Sequence, residues 1–186
     1  QKKHRTNRMI ELFARLKRSV IAIINCLIEE LAQSEFIPCA FEMKIDDSSD
    51  QNVVSPFKVQ LSDNTNLLIY GTIDRVDAFR KQDKLYFRVV DYKTGSKVFS
   101  ADDIELGLNL QMLLYMFSVW KDKSETLKKI TGCENCELVP SGVLYYEMKA
   151  DAGNVPYGTD SATVLRTVAE RLKRTGMLLS TETVLR

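Results

Sequence analysis

Two apolar runs separated by a four-residue polar turn constrain this chain more than any other feature of it. Leu67–Phe79 and Lys84–Lys93 both alternate apolar and polar residues and are rich in aromatic and β-branched side chains. Arg80–Asp83 is too short for a crossover, so the two runs are expected to be neighbouring antiparallel strands. Alternation puts Asp91 and Lys93 on the face that Leu85, Phe87 and Val89 occupy, so that face turns polar only at its end, just before Thr94-Gly95. On the first strand Asp74 is expected to share a face with Leu68, Tyr70 and Thr72, and pairing through the turn can bring it close to Asp91. Two adjacent carboxylates repel, and such a pair is stable mainly with a cation between them. Mg²⁺ suits a few hard carboxylate oxygens, keeps several waters and commonly adds phosphate oxygens. A metal held there can acidify a water and hold the attacked phosphate. A lysine beside it could orient or deprotonate that water, or stabilise charge on the phosphate. The constellation therefore points to metal-assisted phosphodiester hydrolysis.

The flanking sequence supplies a platform. Leu12, Leu16, Val20, Ile23, Leu27 and Leu31 recur at three- and four-residue steps, which predicts an amphipathic helix from Arg8 to Gln33, ended by Ser34 and Pro38. Cys39–Ile45 and Phe57–Leu61 alternate like strands, Asp46–Ser55 reads as a loop, and Asp63-Asn64-Thr65-Asn66 as a hairpin turn. With the two central runs this makes four consecutive strands, an antiparallel meander. Ser100-Ala-Asp-Asp103 opens a helix expected over Ile104–Trp120. Residues 121–138 form a charged insertion, Ser141–Lys149 a strand, and Thr159 or Asp160 caps a last helix that Gly176 closes near Thr175. The order αβββ(β)αβα predicts a single α/β (α+β) domain over 1–186, a mixed sheet with an antiparallel meander flanked by helices.

Composition adds exclusions. A net charge of +1 arises from 26 basic and 25 acidic residues, so it neither implies nor excludes a nucleic-acid partner. The longest apolar run, Val20–Leu27, is interrupted by Asn25 and falls far short of the roughly 20 residues of a membrane span. A start at Gln1, no secretory signal pattern and an immediate long helix suggest an excised piece of a larger, soluble chain. Cys26 and Cys39 fall in an apolar helix and a strand, where thiols behave as small hydrophobes, so a reduced, cytosolic protein is expected. Cys133-Glu-Asn-Cys136 could be half of a zinc site, but no second pair has suitable spacing. No Gly-x-x-x-x-Gly-Lys-Ser/Thr loop occurs, so any ATP use must sit elsewhere.

Three motifs together carry a resemblance. Gly71-Thr-Ile-Asp74-Arg-Val-Asp77, Val89-Val-Asp91-Tyr-Lys93-Thr-Gly95 and Gly107-Leu-x-Leu-Gln111-x-Leu-x-Tyr115 resemble the RecB-like branch of the PD-(D/E)XK nucleases, and within it the C-terminal nuclease domain of AddB-type helicase–nuclease proteins. Ser34-x-Phe36-x-Pro38-x-x-Phe41-Glu42, Pro140–Tyr146 and Gly176-Met-Leu-Leu extend the likeness over most of the chain. The resemblance implies a restriction-endonuclease-like core and a Mg²⁺-dependent deoxyribonuclease, with Mn²⁺ able to substitute. It implies single-stranded DNA as the main substrate, in double-strand-break repair and recombination, with a partner subunit in the parent complex. A bacterial, cytoplasmic and nucleoid-associated location goes with it. In this reading Asp74 and Asp91 are metal carboxylates, joined by the main-chain carbonyl of Tyr92. Lys93 is the catalytic lysine, and Gln111 and Tyr115 line the site and contact DNA. Glu42 is either an additional acidic group or a salt-bridge partner of a residue such as Arg75, and Asp77 is a structural partner or faces solvent. The branch has a further metal-binding histidine in an early helix. The single histidine, His4, matches no such motif, so that ligand is expected upstream of Gln1. The iron–sulfur cluster of the family is expected only in the full-length parent. Two other readings stay open: a catalytically impaired nuclease-like module that binds DNA or serves structurally, and a free-standing phage-type exonuclease.

Overall fold

The structure, a computed structural model, describes residues 7–50, 52–61, 65–93, 100–107, 110–148, 160, 163, 166, 167, 172, 174–181, 183 and 184. His4, Thr94-Gly95 and most of the expected last helix lie outside them. The chain divides into two compact units, 1–33 with 93–97 and 147–173, and 34–92 with 98–146 and 174–186.

The first unit holds helix α1, Asn7–Gln33. Ala22 and Ile23 are buried there, with Leu27, Met148 and Leu172 packed against them. Leu12, Leu16 and Val20 of the same apolar stripe remain about half exposed. Among the described residues no helix is long and apolar enough to cross a membrane.

The second unit is built on a mixed six-stranded sheet in the order β2-β1-β5-β6-β7-β8. Its strands are β1 (Ile37–Ile45), β2 (Val53–Val54), β5 (Gly71–Lys81), β6 (Lys84–Lys93), β7 (Glu137–Glu147) and β8 (Thr175–Leu178). The central pair is antiparallel, as the sequence reading expects, in register from Arg75 with Val90 to Lys81 with Lys84; the expected four-residue turn Arg80–Asp83 is corrected to two residues, because Arg80 and Lys81 belong to β5. Main-chain bonds from Glu137 to Asp83 and from Met148 to Lys93 show β7 running parallel to β6. The crossover between those two strands contains the helices α2 (Ala101–Glu105), α3 (Gln111–Trp120) and α4 (Thr126–Thr131).

The expected four-strand meander is corrected. Leu67–Phe79 is not one strand: it divides at Tyr70 into β4 (Asn66–Ile69) and β5. β4 pairs instead with β3 (Phe57–Gln60) in a separate two-stranded sheet. Burial explains the division, since the upstream piece is mostly exposed whereas Ile73–Phe79 is almost entirely buried. The expected loop 46–55 contains β2, which pairs parallel to β1. The expected helix Ile104–Trp120 breaks where Gly107 takes a positive φ of 75°. The insertion folds as α4, and Asp122 organises its start. That carboxylate accepts the N–H groups of Ser55, Ser124 and Thr126 at 3.1, 3.0 and 2.9 Å. Gly176 is no helix cap; it lies in β8, where it pairs with Leu144.

Met43, Ile45, Ile73, Val76, Leu85, Phe87 and Val89 from the sheet, Met112, Tyr115 and Val119 from α3 and Leu127 from α4 form the main core. Cys133 and Cys136 are buried in it and joined as a disulfide, so they do not present half of a zinc site. Cys26 and Cys39 are only partly buried.

Candidate active site

The site is built where β5 departs from strict alternation. Ile73, Val76 and Ala78 all lie in the same core cluster, which an unbroken period of two cannot produce. The facing therefore shifts by one residue between Ile73 and Val76. β1 shows the counterpart, because its ladder with β5 pairs Phe41 with Arg75 and Met43 with Ile73 but skips Glu42 and Asp74 between them. Glu42 holds a left-handed φ of 48°, which a non-glycine residue adopts at a cost of roughly 1–2 kcal/mol. Such irregularities re-aim side chains and recur beside functional sites. The expected shared face of Asp74 with Leu68 and Tyr70 is thereby corrected: Leu68 is on another strand and Tyr70 on none.

Asp74 is held against the next strand. Its Oδ2 accepts the main-chain N–H of Tyr92 at 2.8 Å. The β5–β6 register, which pairs 75 with 90, places Asp74 across from Asp91 when continued by one position. Asp91 is only 8% exposed, at the carboxyl end of β6. Tyr145, near the parallel end of β7, lies close to it. Its phenol pKa is raised, first by burial and then by the negative charge of Asp91. Lys93 is the last residue of β6, half-buried, and its carbonyl accepts the N–H of Met148 at 2.8 Å.

Gln111 opens α3 and Tyr115 stands one turn further on. Gln111 is exposed, whereas Tyr115 is 8% exposed and belongs to the core. The Gln111 amide donates to the Tyr115 hydroxyl at 3.0 Å. That ring lies directly on Gly71: a Cβ built there would overlap the Tyr115 hydroxyl and ring. Gly71 opens the Gly-x-x-Asp motif because only hydrogen fits beneath Tyr115.

The other side chains of β5 and β6 form a polar network that the sequence reading only touched. Asp77 is 0% exposed; it forms an ion pair with Arg75 Nε at 2.7 Å and accepts a hydrogen bond from Arg88 Nε at 3.0 Å. A second fork nitrogen, Arg75 Nη2, donates to Asp77 at 3.0 Å and to the Tyr146 hydroxyl at 3.2 Å. Arg75 Nη1 donates to the Tyr92 hydroxyl at 2.7 Å. Of the two roles left open for Asp77, the structural one is found, and Arg75 is paired with Asp77, while Glu42 is exposed. The missed residue is Arg75. The available signal was the Arg-Val-Asp step in an otherwise apolar strand, with Arg88 facing Asp77 once the hairpin is closed.

Asp74 and Asp91 bring two carboxylates to one end of the β5–β6 pair, and carboxylate oxygens are the hard donors that a dication such as Mg²⁺ takes. Among the described residues no group of three or more His, Cys, Asp or Glu side chains is placed to hold a metal. A third His, Cys, Asp or Glu side chain is therefore not placed beside this pair among those residues.

Comparison with known proteins agrees with this architecture. The model of the PD-(D/E)XK nuclease superfamily matches residues 2–183. The relatives named here are all B-type subunits of an ATP-dependent helicase/deoxyribonuclease. The chain is 29% identical over 177 residues to that of Ruminiclostridium cellulolyticum, covering 94% of this chain and 14% of that protein. Its counterpart in Clostridium novyi is 32% identical over 172 residues, covering 92% and 14%. That of Acetivibrio thermocellus is 28% identical over 175 residues, covering 94% and 14%. The chain thus spans about one-seventh of the length of these curated relatives.

Proposed function

The chain belongs to the PD-(D/E)XK nuclease superfamily, and on that premise we propose that it is a metal-dependent deoxyribonuclease whose chemistry rests on Asp74, Asp91 and Lys93. The observation that carries the reading is the seat of the Asp74 carboxylate on the Tyr92 N–H, one peptide beyond Asp91. The contact supports the reading by holding the acidic group of one strand against the peptide that follows Asp91 on the next, and the Tyr92 carbonyl would complete the donor set.

The roles follow from chemistry and position. Asp74, Asp91 and the Tyr92 carbonyl would hold Mg²⁺, or Mn²⁺ in its place. When bound, the metal supplies positive charge to the attacked phosphate and acidity to a coordinated water. Lys93, two residues past Asp91 on β6, orients the attacking water or stabilises charge on a phosphate oxygen with its ammonium group. Gln111 presents its exposed amide to the nucleic-acid backbone, and Tyr115 sets the rotamer of Gln111 from within the core. The bond cleaved is the phosphodiester P–O bond, and water supplies the new oxygen.

The substrate proposed is single-stranded DNA, processed during break repair and recombination by a larger helicase–nuclease with a partner subunit. The relatives' names and their roughly sevenfold greater length support that reading. Motor activity and the iron–sulfur cluster belong to the larger protein, with a cytoplasmic, nucleoid-associated location. The catalytically impaired alternative is favoured by one observation, the lack of a third metal-binding side chain among the described residues.

Cleavage of end-labelled single-stranded DNA with Mg²⁺ or Mn²⁺, alongside Mn²⁺ binding by calorimetry, tests both readings. Cleavage that falls at least about a hundredfold in Asp91→Ala and in Lys93→Ala, with unchanged melting curves, supports catalysis. Unchanged cleavage in both variants refutes it. DNA binding without any cleavage selects the impaired module.

A further inference from the structure

We propose that Arg75 and the Tyr92 side chain form a positioning device that sets metal affinity from the back of the sheet. The inference rests on the metal reading of Asp74, Asp91 and the Tyr92 carbonyl, and it adds residues that lie outside that donor set. Tyr92 is the hinge of the argument. Its N–H holds the Asp74 carboxylate at 2.8 Å, and its hydroxyl accepts Arg75 Nη1 at 2.7 Å. The orientation of one peptide is thus tied at two points, one toward Asp74 and one toward the buried network.

The network is rigid enough to transmit that constraint. Arg75 is 2% exposed and spends its fork on Asp77, which is fully buried and also takes Arg88. Its guanidinium lies 5.6 Å from the centroid of the Tyr92 ring and 5.0 Å from that of Tyr146, and the two rings meet edge to face at 5.6 Å. A planar guanidinium with three such partners has one orientation, so the Tyr92 hydroxyl has one place to be. Arg75 also directly follows Asp74 in β5, at the point where strand facing shifts. Fixing its side chain therefore restrains the backbone from which the Asp74 side chain leaves. Partners that orient metal ligands from behind typically cost 10–100-fold in metal affinity when removed.

The test uses two matched hydroxyl deletions in the 186-residue chain. Tyr92→Phe and Tyr146→Phe each remove one phenol oxygen from Arg75, at 2.7 and 3.2 Å, but only Tyr92 belongs to the peptide that holds Asp74. Mn²⁺ dissociation constants are measured by electron paramagnetic resonance, with thermal melting in parallel. Tyr92→Phe is expected to weaken Mn²⁺ binding about tenfold, with cleavage restored at saturating Mg²⁺, while Tyr146→Phe lowers stability by a similar amount and leaves Mn²⁺ binding within about twofold of the parent. Arg75→Lys, which keeps the charge toward Asp77 but loses the fork, is expected to behave like Tyr92→Phe and serves if Tyr92→Phe does not fold. Unchanged Mn²⁺ affinity in Tyr92→Phe, or equal weakening in Tyr146→Phe, overturns the positioning role. Asp74→Asn and Asp91→Asn separate the two levels: if neither weakens Mn²⁺ binding, the metal site itself fails, whatever Tyr92→Phe does.

Discussion

Replacing Asp77 by alanine probes the buried network most sharply. Asp77 is 0% exposed, accepts hydrogen bonds from Arg75 Nη2 and Arg88 Nε, both at 3.0 Å, and forms an ion pair with Arg75 Nε at 2.7 Å. Alanine removes the carboxylate that faces two guanidinium groups, which are themselves 2% and 6% exposed. Removing one partner of a buried ion pair typically costs 3–5 kcal/mol, because the remaining charge stays desolvated. A domain of this size has only about 5–15 kcal/mol of total stability, so the loss is about a fifth of it or more. At roughly 2–4 °C per kcal/mol for 150–250 residues, the melting temperature should fall by about 6–20 °C. With a urea slope near 2 kcal/mol/M, the midpoint should move down by about 1.5–2.5 M. Circular dichroism melts and urea titrations read both quantities. The joint replacement Arg75→Met, Asp77→Leu and Arg88→Met should recover most of the loss, since apolar isosteres of buried ion pairs are often neutral or stabilising. A loss below about 1 kcal/mol in Asp77→Ala would show that water reaches the guanidiniums, and the reasoning from a dry, paired network would be wrong.

Gly71→Ala should cost about 1–3 kcal/mol through overpacking on Tyr115, and it should weaken DNA binding as the Gln111 amide loses its phenol anchor; melting curves and fluorescence anisotropy check the two effects. Asp122→Ala leaves the N–H groups of Ser55, Ser124 and Thr126 without their shared acceptor, so amide exchange at 124–126 should accelerate, with about 1–2 kcal/mol of stability lost. Burial, and secondarily the charge of Asp77, push the Cys39 thiol up to about 12 from 9.0. Cys39 should therefore resist alkylation at pH 8 in the native state and react once unfolded, as peptide mass spectrometry at that residue would show. Because the folded state holds this proton more tightly, the associated stability is complete below pH 9 and declines as pH rises from 9 toward 12.

The parts of the fold legible in the chain are those set by short-range patterns. α1, the β5–β6 hairpin and its turn follow from apolar period and turn residues, and the hairpin register alone places Asp74 near Asp91. The shift of facing at Asp74 was not legible, because it lies in the backbone of two paired strands, with Glu42 left-handed on β1, and in no residue type that alternation could reveal. Nor was the split at Tyr70, since Leu67–Phe79 reads as one continuous run while only its later part is buried. At the site, Asp91 and Lys93 were legible from their position at the end of an apolar strand face. Tyr115 was legible as a motif residue, but its burial against Gly71 was not, because that contact joins two elements some forty residues apart.

By itself, then, the sequence determined that two antiparallel strands meet around a short polar turn and which carboxylates they carry. Those properties depend on side-chain period and turn chemistry within about thirty residues. Only the tertiary structure decided that β7 lies parallel beside β6, that Tyr115 rests on Gly71, and that Arg75 reaches through the sheet's buried side to Tyr92. Each of these joins distant segments, and their selection depends on which faces exclude water and which buried charges find partners.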